Sequence, residues 1–171
     1  MKRKTIQNVF SALTISILLM GCSNQQAETN HTKEHESHAE HNQTSDIREQ
    51  TINKETLPKF LATKEQQIQQ IYLVAALHTD LLKNIPCYCG CGESVGHKSN
   101  LDCFIHEIKE DGSIIWDSHA TSCVNCMEIA VESAKFQQEG KTPLEIRKYI
   151  DNKYKDGYGN PTKTPMPKEQ G

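Results

Sequence analysis

Apolar positions recur at three- and four-residue spacing through Ile68, Ile71, Tyr72, Ala75, His78, Leu82 and Ile85, and Val74, Leu77 and Leu81 widen the stripe. That period predicts a long helix, apolar on most sides between Ile71 and Leu82, as the central element of the domain. Thr63 followed by Gln66 reads as a capping box at its start, and Ile85-Pro86 ends it because a residue before proline avoids the α region. His78, on the stripe, is expected to be a core histidine satisfied by a hydrogen bond. Leu101 to Ile108 and Ser113 to Trp116 are rich in β-formers around Lys109-Glu110-Asp111-Gly112, which predicts a hairpin; a single helical turn over 99–104 is the alternative for the first run. Asp117 or Ser118 is placed to cap a second helix, running to about Gln138 and closed by Gly140. Thr142-Pro143-Leu144-Glu145 opens a third, with a capping threonine, proline at the first helical position and a glutamate completing the box. Ile146, Tyr149, Ile150 and Tyr154 carry its apolar stripe. The expected fold is mainly α: a small three-helix domain over residues 57–156, with a cysteine-rich loop and a short β-hairpin.

The flanks read differently. Lys2, Arg3 and Lys4 precede a short apolar run from Val9 to Met20, and Leu19-Met20-Gly21-Cys22 follows the order of a bacterial lipobox. Residues 1–21 are therefore expected to be a lipoprotein signal peptide, with Cys22 the lipidated first residue of an exported, membrane-anchored chain. Residues 22–56 are poor in large apolar side chains and predict a disordered tether. Its His31, His35, His38 and His41 alternate with Glu34, Glu36 and Glu40, a pattern that suits loose metal binding as well as a plain polar spacer. Residues 157–171 hold three prolines among polar residues and predict a disordered tail. The chain carries a formal charge of −3, and losing residues 1–21 makes it more acidic, which excludes the basic face that nucleic acid requires.

The chemistry lies in Pro86-Cys87-Tyr88-Cys89-Gly90-Cys91-Gly92. Three thiols at every second position serve no packing need, and glycines between them let the backbone curl so that the sulfurs converge. Thiolates select Cu(I), Zn(II) or iron–sulfur clusters. Besides Cys22, six cysteines remain: Cys87, Cys89, Cys91, Cys103, Cys123 and Cys126. On a helix running through 119–126, His119, Cys123 and Cys126 share one face, so the triple is expected to be half a site that docks against them, with Cys103 between. His97, and in sequence His106, lie near enough to add nitrogen ligands. Six sulfurs exceed one tetrahedral site. That excess suits thiolate-bridged Cu(I), and the tether histidines suit Cu(II), so copper is favoured; zinc is the alternative.

Three other accounts stay open on spacing alone. Exported cysteines tend to oxidise, which allows a disulfide scaffold, although a C-x-C pair closes a strained ring. Cys123 and Cys126 form a C-x-x-C, yet no strand-helix-strand pattern surrounds it and the expected helix begins before it. Four thiols could also close a structural zinc site. No catalytic base, nucleophile or cofactor loop stands out, so the chain reads as a non-enzyme.

At these residues the chain resembles the bacterial PCYCGC-motif lipoproteins. Residues 86–91 match the naming motif, and the resemblance continues through Gly96-His97, Asn100 to Phe104, Trp116 to Ala120 and Cys123 to Cys126, over roughly residues 60 to 167. It implies a membrane-anchored extracytoplasmic protein of Firmicute type with a metal-binding role. The functional expectation is a soft-metal, chiefly Cu(I), binding lipoprotein on the outer face of the membrane, for sequestration or delivery to a metal-handling partner. The alternative is a disulfide- or zinc-stapled domain that binds a protein at the envelope.

Overall fold

The computed structural model describes residues 46–90 and 92–169. The signal segment, Cys22, the four tether histidines and Cys91 lie outside the described residues. In chain order the elements are β1 (Arg48–Thr51), a 3-10 turn (Lys59–Leu61), α1 (Gln66–Leu77), α2 (Thr79–Leu82), α3 (Gly92–Val95), a second 3-10 turn (Leu101–Cys103), β2 (Ile105–Ile108), β3 (Ile114–Asp117), a third 3-10 turn (His119–Ser122), α4 (Val124–Gln138) and α5 (Pro143–Tyr154). Among the described residues no helix is long and apolar enough to cross a membrane.

The helices are joined by a sheet larger than the expected hairpin. β2 and β3 pair antiparallel around Gly112, whose φ of +84° suits the turn, and β1 pairs antiparallel on the other side of β3. A register shift between Ile105 and Glu107 leaves His106 exposed, away from the cysteines. The tether expectation ran through Thr56, and β1 corrects it at 48–51. Its hydrophobic content is slight; what it supplies is polar complementarity. Trp116 is fully buried, and its indole N–H donates to Thr51 Oγ1 at 2.8 Å. A buried indole without an acceptor is costly, so the strand has a reason to dock that apolar periodicity does not register.

The core lies between this sheet and the helices. Tyr72 on α1 packs edge-on against Phe104 and donates its hydroxyl hydrogen to the Asp117 carbonyl at 2.9 Å. Ile129 and Ala130 of α4 and Ile146, Ile150 and Tyr154 of α5 complete it. The capping box at Thr142 forms as the sequence indicates.

The long first helix is shorter and broken. It begins at Gln66 with Glu65 as its cap and without a side-chain capping bond, because Lys59–Leu61 and the turn after it occupy the residues expected to lead in. At His78 the backbone leaves helical geometry (φ −115°, ψ 28°), and α2 restarts to bury Leu81 and Leu82. No proline or glycine marks this break. Half-buried His78 meets Gln137 Oε1 through Nδ1 at 2.6 Å.

The tail is a strap. Gly159 N–H donates to the Tyr88 carbonyl at 3.0 Å, and Arg147 reaches Thr164 Oγ1 and the Pro165 carbonyl. The disordered-tail expectation is therefore corrected over 159–165.

Candidate metal centre

Cys87 and Cys89 arrive on the loop that follows α2. Pro86 stops the helix, and Gly90 turns the chain at φ +80°. The loop is fastened by the strap on one side and by Asn100 on the other. Fully buried Asn100 donates its backbone N–H to the Ile85 carbonyl at 2.8 Å and its side-chain N–H to the Cys126 carbonyl at 3.1 Å. One residue, through its backbone and its side chain, thus ties the chain just before Pro86 to the start of α4. Asp102 accepts from the Lys98 and Ser99 N–H groups and fixes the turn that carries Cys103.

The second half of the site departs from expectation. His119, Cys123 and Cys126 do not share a helix face, because residues 119–122 form a 3-10 turn and Cys123 is extended (φ −127°, ψ 97°) as the cap of α4. Asp117 Oδ1 accepts the His119 N–H at 2.9 Å and so favours the tighter turn. Cys126 occupies the third position of α4. Both thiols of the C-x-x-C therefore sit at the positive end of a 15-residue helix, where thiolates are favoured. Redox thiols use such a placement, but here neighbouring sulfurs and burial hold both thiols above their ordinary pKa, and no strand-helix-strand setting surrounds them among the described residues.

From these separate elements the sulfurs converge. Cys87 Sγ lies 2.9 Å from Cys89 Sγ and 3.6 Å from both Cys126 Sγ and Cys103 Sγ. Cys126 Sγ is 3.2 Å from Cys123 Sγ. Cys87, Cys103, Cys123 and Cys126 are free thiols. Two overlapping trios, Cys87-Cys103-Cys126 and Cys89-Cys123-Cys126, each bring their sulfurs within 4.8 Å of one another. Zn–S bonds of 2.3 Å would separate tetrahedral sulfurs by about 3.8 Å, so the first trio is spaced for a common ion with little movement.

The thiols differ in acidity. The Cys103 thiol is pulled well below its ordinary value by its hydrogen bonds with Cys126 and Cys87, and His97 adds to this. Cys126 is driven up by the adjacent Cys103, then by Cys123 and Cys87. Cys87 is likewise raised, chiefly by Cys103. At Cys123 the Cys126 contact lowers the pKa, but Cys89 and burial outweigh it and push the value up to about 11. The first negative charge of the cluster thus settles on Cys103, at its centre.

Two histidines border the sulfurs. His119 lies against Cys89, with Nδ1 3.0 Å from Asp46 Oδ2; burial would depress its pKa, and the thiol and carboxylate raise it to about 9. His97 packs perpendicular to His119, with ring centroids 4.7 Å apart. Sequence reading names both histidines but misses Asp46, Asn100 and Thr162. Asp46 and Thr162 fall in the stretches assigned to tether and tail, and nothing in their local pattern marks them. Asn100 sits inside a run that the family resemblance covers, with no chemistry of its own to draw notice.

No curated protein and no solved structure matches the chain. The family model described as "Protein of unknown function with PCYCGC motif" matches residues 11–167, nearly the whole chain and every element that builds the centre, so the chain belongs to the PCYCGC-motif family.

Proposed function

We propose that this protein binds a soft metal ion, Cu(I) before others, on the outer face of the membrane to which a lipid on Cys22 anchors it, and that it sequesters the ion or passes it on. The observation that carries the reading is the convergence of Cys87, Cys103 and Cys126, from three separate elements, at sulfur spacings of one metal's ligand shell. Additional thiols beside them suit Cu(I), which thiolate ligands select. The reading treats the chain as a binding protein, not an enzyme. Its test is uptake of Cu(I) by the reduced protein against a chromophoric chelator, with native mass spectrometry to count ions. Tight uptake is expected, and Cys87→Ser with Cys103→Ser, which removes two of the three converging thiols, should abolish it while leaving helicity. Uptake unchanged in that variant would overturn the site.

Burial favours a second reading. Cys87, Cys103 and Cys126 are at most 1% exposed, so an ion held there also ties the loop to α4 and serves as a zinc staple for an envelope interaction module. Zinc retained through purification, with unfolding on chelation and no displacement by Cu(I), would favour that reading over copper handling.

A further inference from the structure

One side of the cluster has a different chemistry. Asp46, His97 and His119 each bring a ligand atom within 4.8 Å of the other two, from the lead-in to β1, the loop after α3 and the turn after β3. These positions are built. The Ile47 N–H donates to Ser118 Oγ at 2.8 Å and the Ser118 N–H donates to the Ile47 carbonyl at 3.0 Å, which places Asp46 beside His119. His97 is fixed by its N–H on the Gly92 carbonyl at 2.8 Å.

The second observation is His97 itself. It is 7% exposed, and neither ring nitrogen makes a well-aligned hydrogen bond; besides His119 and Asp46, the Cys103 thiol also acts on it. Buried imidazole nitrogens are ordinarily paired by well-aligned hydrogen bonds, and a ring that lacks them next to a second imidazole and a carboxylate offers the donor set of a metal ion. Zn–N and Zn–O bonds of 2.0–2.2 Å separate tetrahedral ligand atoms by about 3.4 Å, a few tenths beyond the 3.0 Å between His119 Nδ1 and Asp46 Oδ2.

We propose that Asp46, His97 and His119 form a second metal site, for a borderline divalent cation of the Zn(II) class, beside the thiolate site and chemically distinct from it. Two imidazoles and a carboxylate suit such an ion, whereas Cu(I) prefers the sulfurs. Three protein ligands leave a fourth position open. The centre then runs from carboxylate through imidazole to thiolate, with ions of different softness side by side.

The test uses the full chain in detergent, loaded with Cu(I) under anaerobic conditions and then titrated with Zn(II). One zinc ion is expected to be lost, or bound at least tenfold more weakly, in Asp46→Asn and in His97→Gln, with the tether histidines intact in every sample. The zinc K-edge spectrum of the wild-type ion should show nitrogen and oxygen neighbours. A zinc shell dominated by sulfur, or equal retention by the Asp46→Asn, His97→Gln double variant, overturns the proposal. Asp46 is partly exposed at the edge of the fold, so Asp46→Asn reads the site even if His97→Gln fails to fold. Cu(I) uptake is read separately with the chelator. Its failure counts against the thiolate reading, and in the copper-free chain the loss of one zinc ion from Asp46→Asn, beyond those the thiols hold, still decides the second site.

Discussion

Thr162 holds the Cys87 peptide from both sides. Its Oγ1 accepts the Cys87 N–H at 2.9 Å, and its own N–H donates to the Cys87 carbonyl at 3.1 Å. The strap therefore acts directly on the backbone of one thiol of the Cys87-Cys103-Cys126 trio. Thr162→Ala should cost about 1 kcal/mol, the value of one partly buried hydrogen bond. Ending the chain after Tyr158 should also increase the rate at which a disulfide reagent reacts with the thiols of the metal-free protein. An unchanged rate in the shortened chain would show that the strap does not guard the site.

Gly159 and Gly90 touch where the strap crosses the loop. A Cβ on Gly159 would come within 2.3 Å of the Gly90 nitrogen and 2.4 Å of its Cα, and backbone cannot step aside as a side chain can. Gly159→Ala should destabilise the domain by about 1–3 kcal/mol, the usual cost of overpacking, and displace the loop. Gly157→Ala is a different case, with nothing near the added methyl but a φ of +84° to oppose it. Thermal melting of the pair separates crowding from backbone strain, and equal wild-type melting for Gly159→Ala would sink the first claim.

Cys87 lies within 3.6 Å of the sulfurs of Cys89, Cys103 and Cys126. Cys87→Ser should weaken Cu(I) binding by more than the 10–100-fold typical of an outer-shell partner. Cys123→Ser should cost less, because the Cys87-Cys103-Cys126 trio survives it. The reverse order, measured by chelator competition, would move the ion to the Cys89-Cys123-Cys126 trio.

Those thiols were legible because their spacing has no structural use, and α5 was legible because a capping box and proline state its start locally. What sequence could not show are features settled by partners distant in the chain. β1 docks because Trp116 needs an acceptor, residues 159–165 dock because Cys87 and Tyr88 present backbone groups, and the 3-10 turn at His119 forms because Asp117 takes its N–H. Apolar periodicity is blind to each of these polar contacts. It therefore assigns too much of the chain to tether and tail, and starts α4 about a turn early.

Arg147 joins the strap to the helices. Its Nε contacts both oxygens of Asp151 at 2.8 and 2.9 Å, and one terminal nitrogen serves the Asn84 carbonyl, Thr164 Oγ1 and the Pro165 carbonyl. Lysine carries the charge without the planar fork, so Arg147→Lys cannot serve Asp151 and the strap together. Loss of about 2–3 kcal/mol is expected, with faster amide exchange at Gly159 and Thr162. Protection at those two amides equal to wild type would show that Cys87 and Tyr88 hold the strap unaided.

The acidity order of the sulfurs sets how binding responds to pH. Cys103 is the thiol held lowest, through its hydrogen bonds with Cys126 and Cys87, while the same contacts drive Cys126 and Cys87 up and keep their protons in place. An ion entering this trio must expel both protons, since thiolates are the ligands. Two protons released per ion make the apparent affinity rise about a hundredfold per pH unit, wherever Cys103 is ionised and the two raised thiols are not. The direction is fixed by the raised thiols: acid returns their protons and ejects the metal, and base removes the competition. Proton release counted in weakly buffered solution as Cu(I) is added gives the number directly. Release near zero, with affinity flat across that range, would mean that the ion sits on ligands other than this trio.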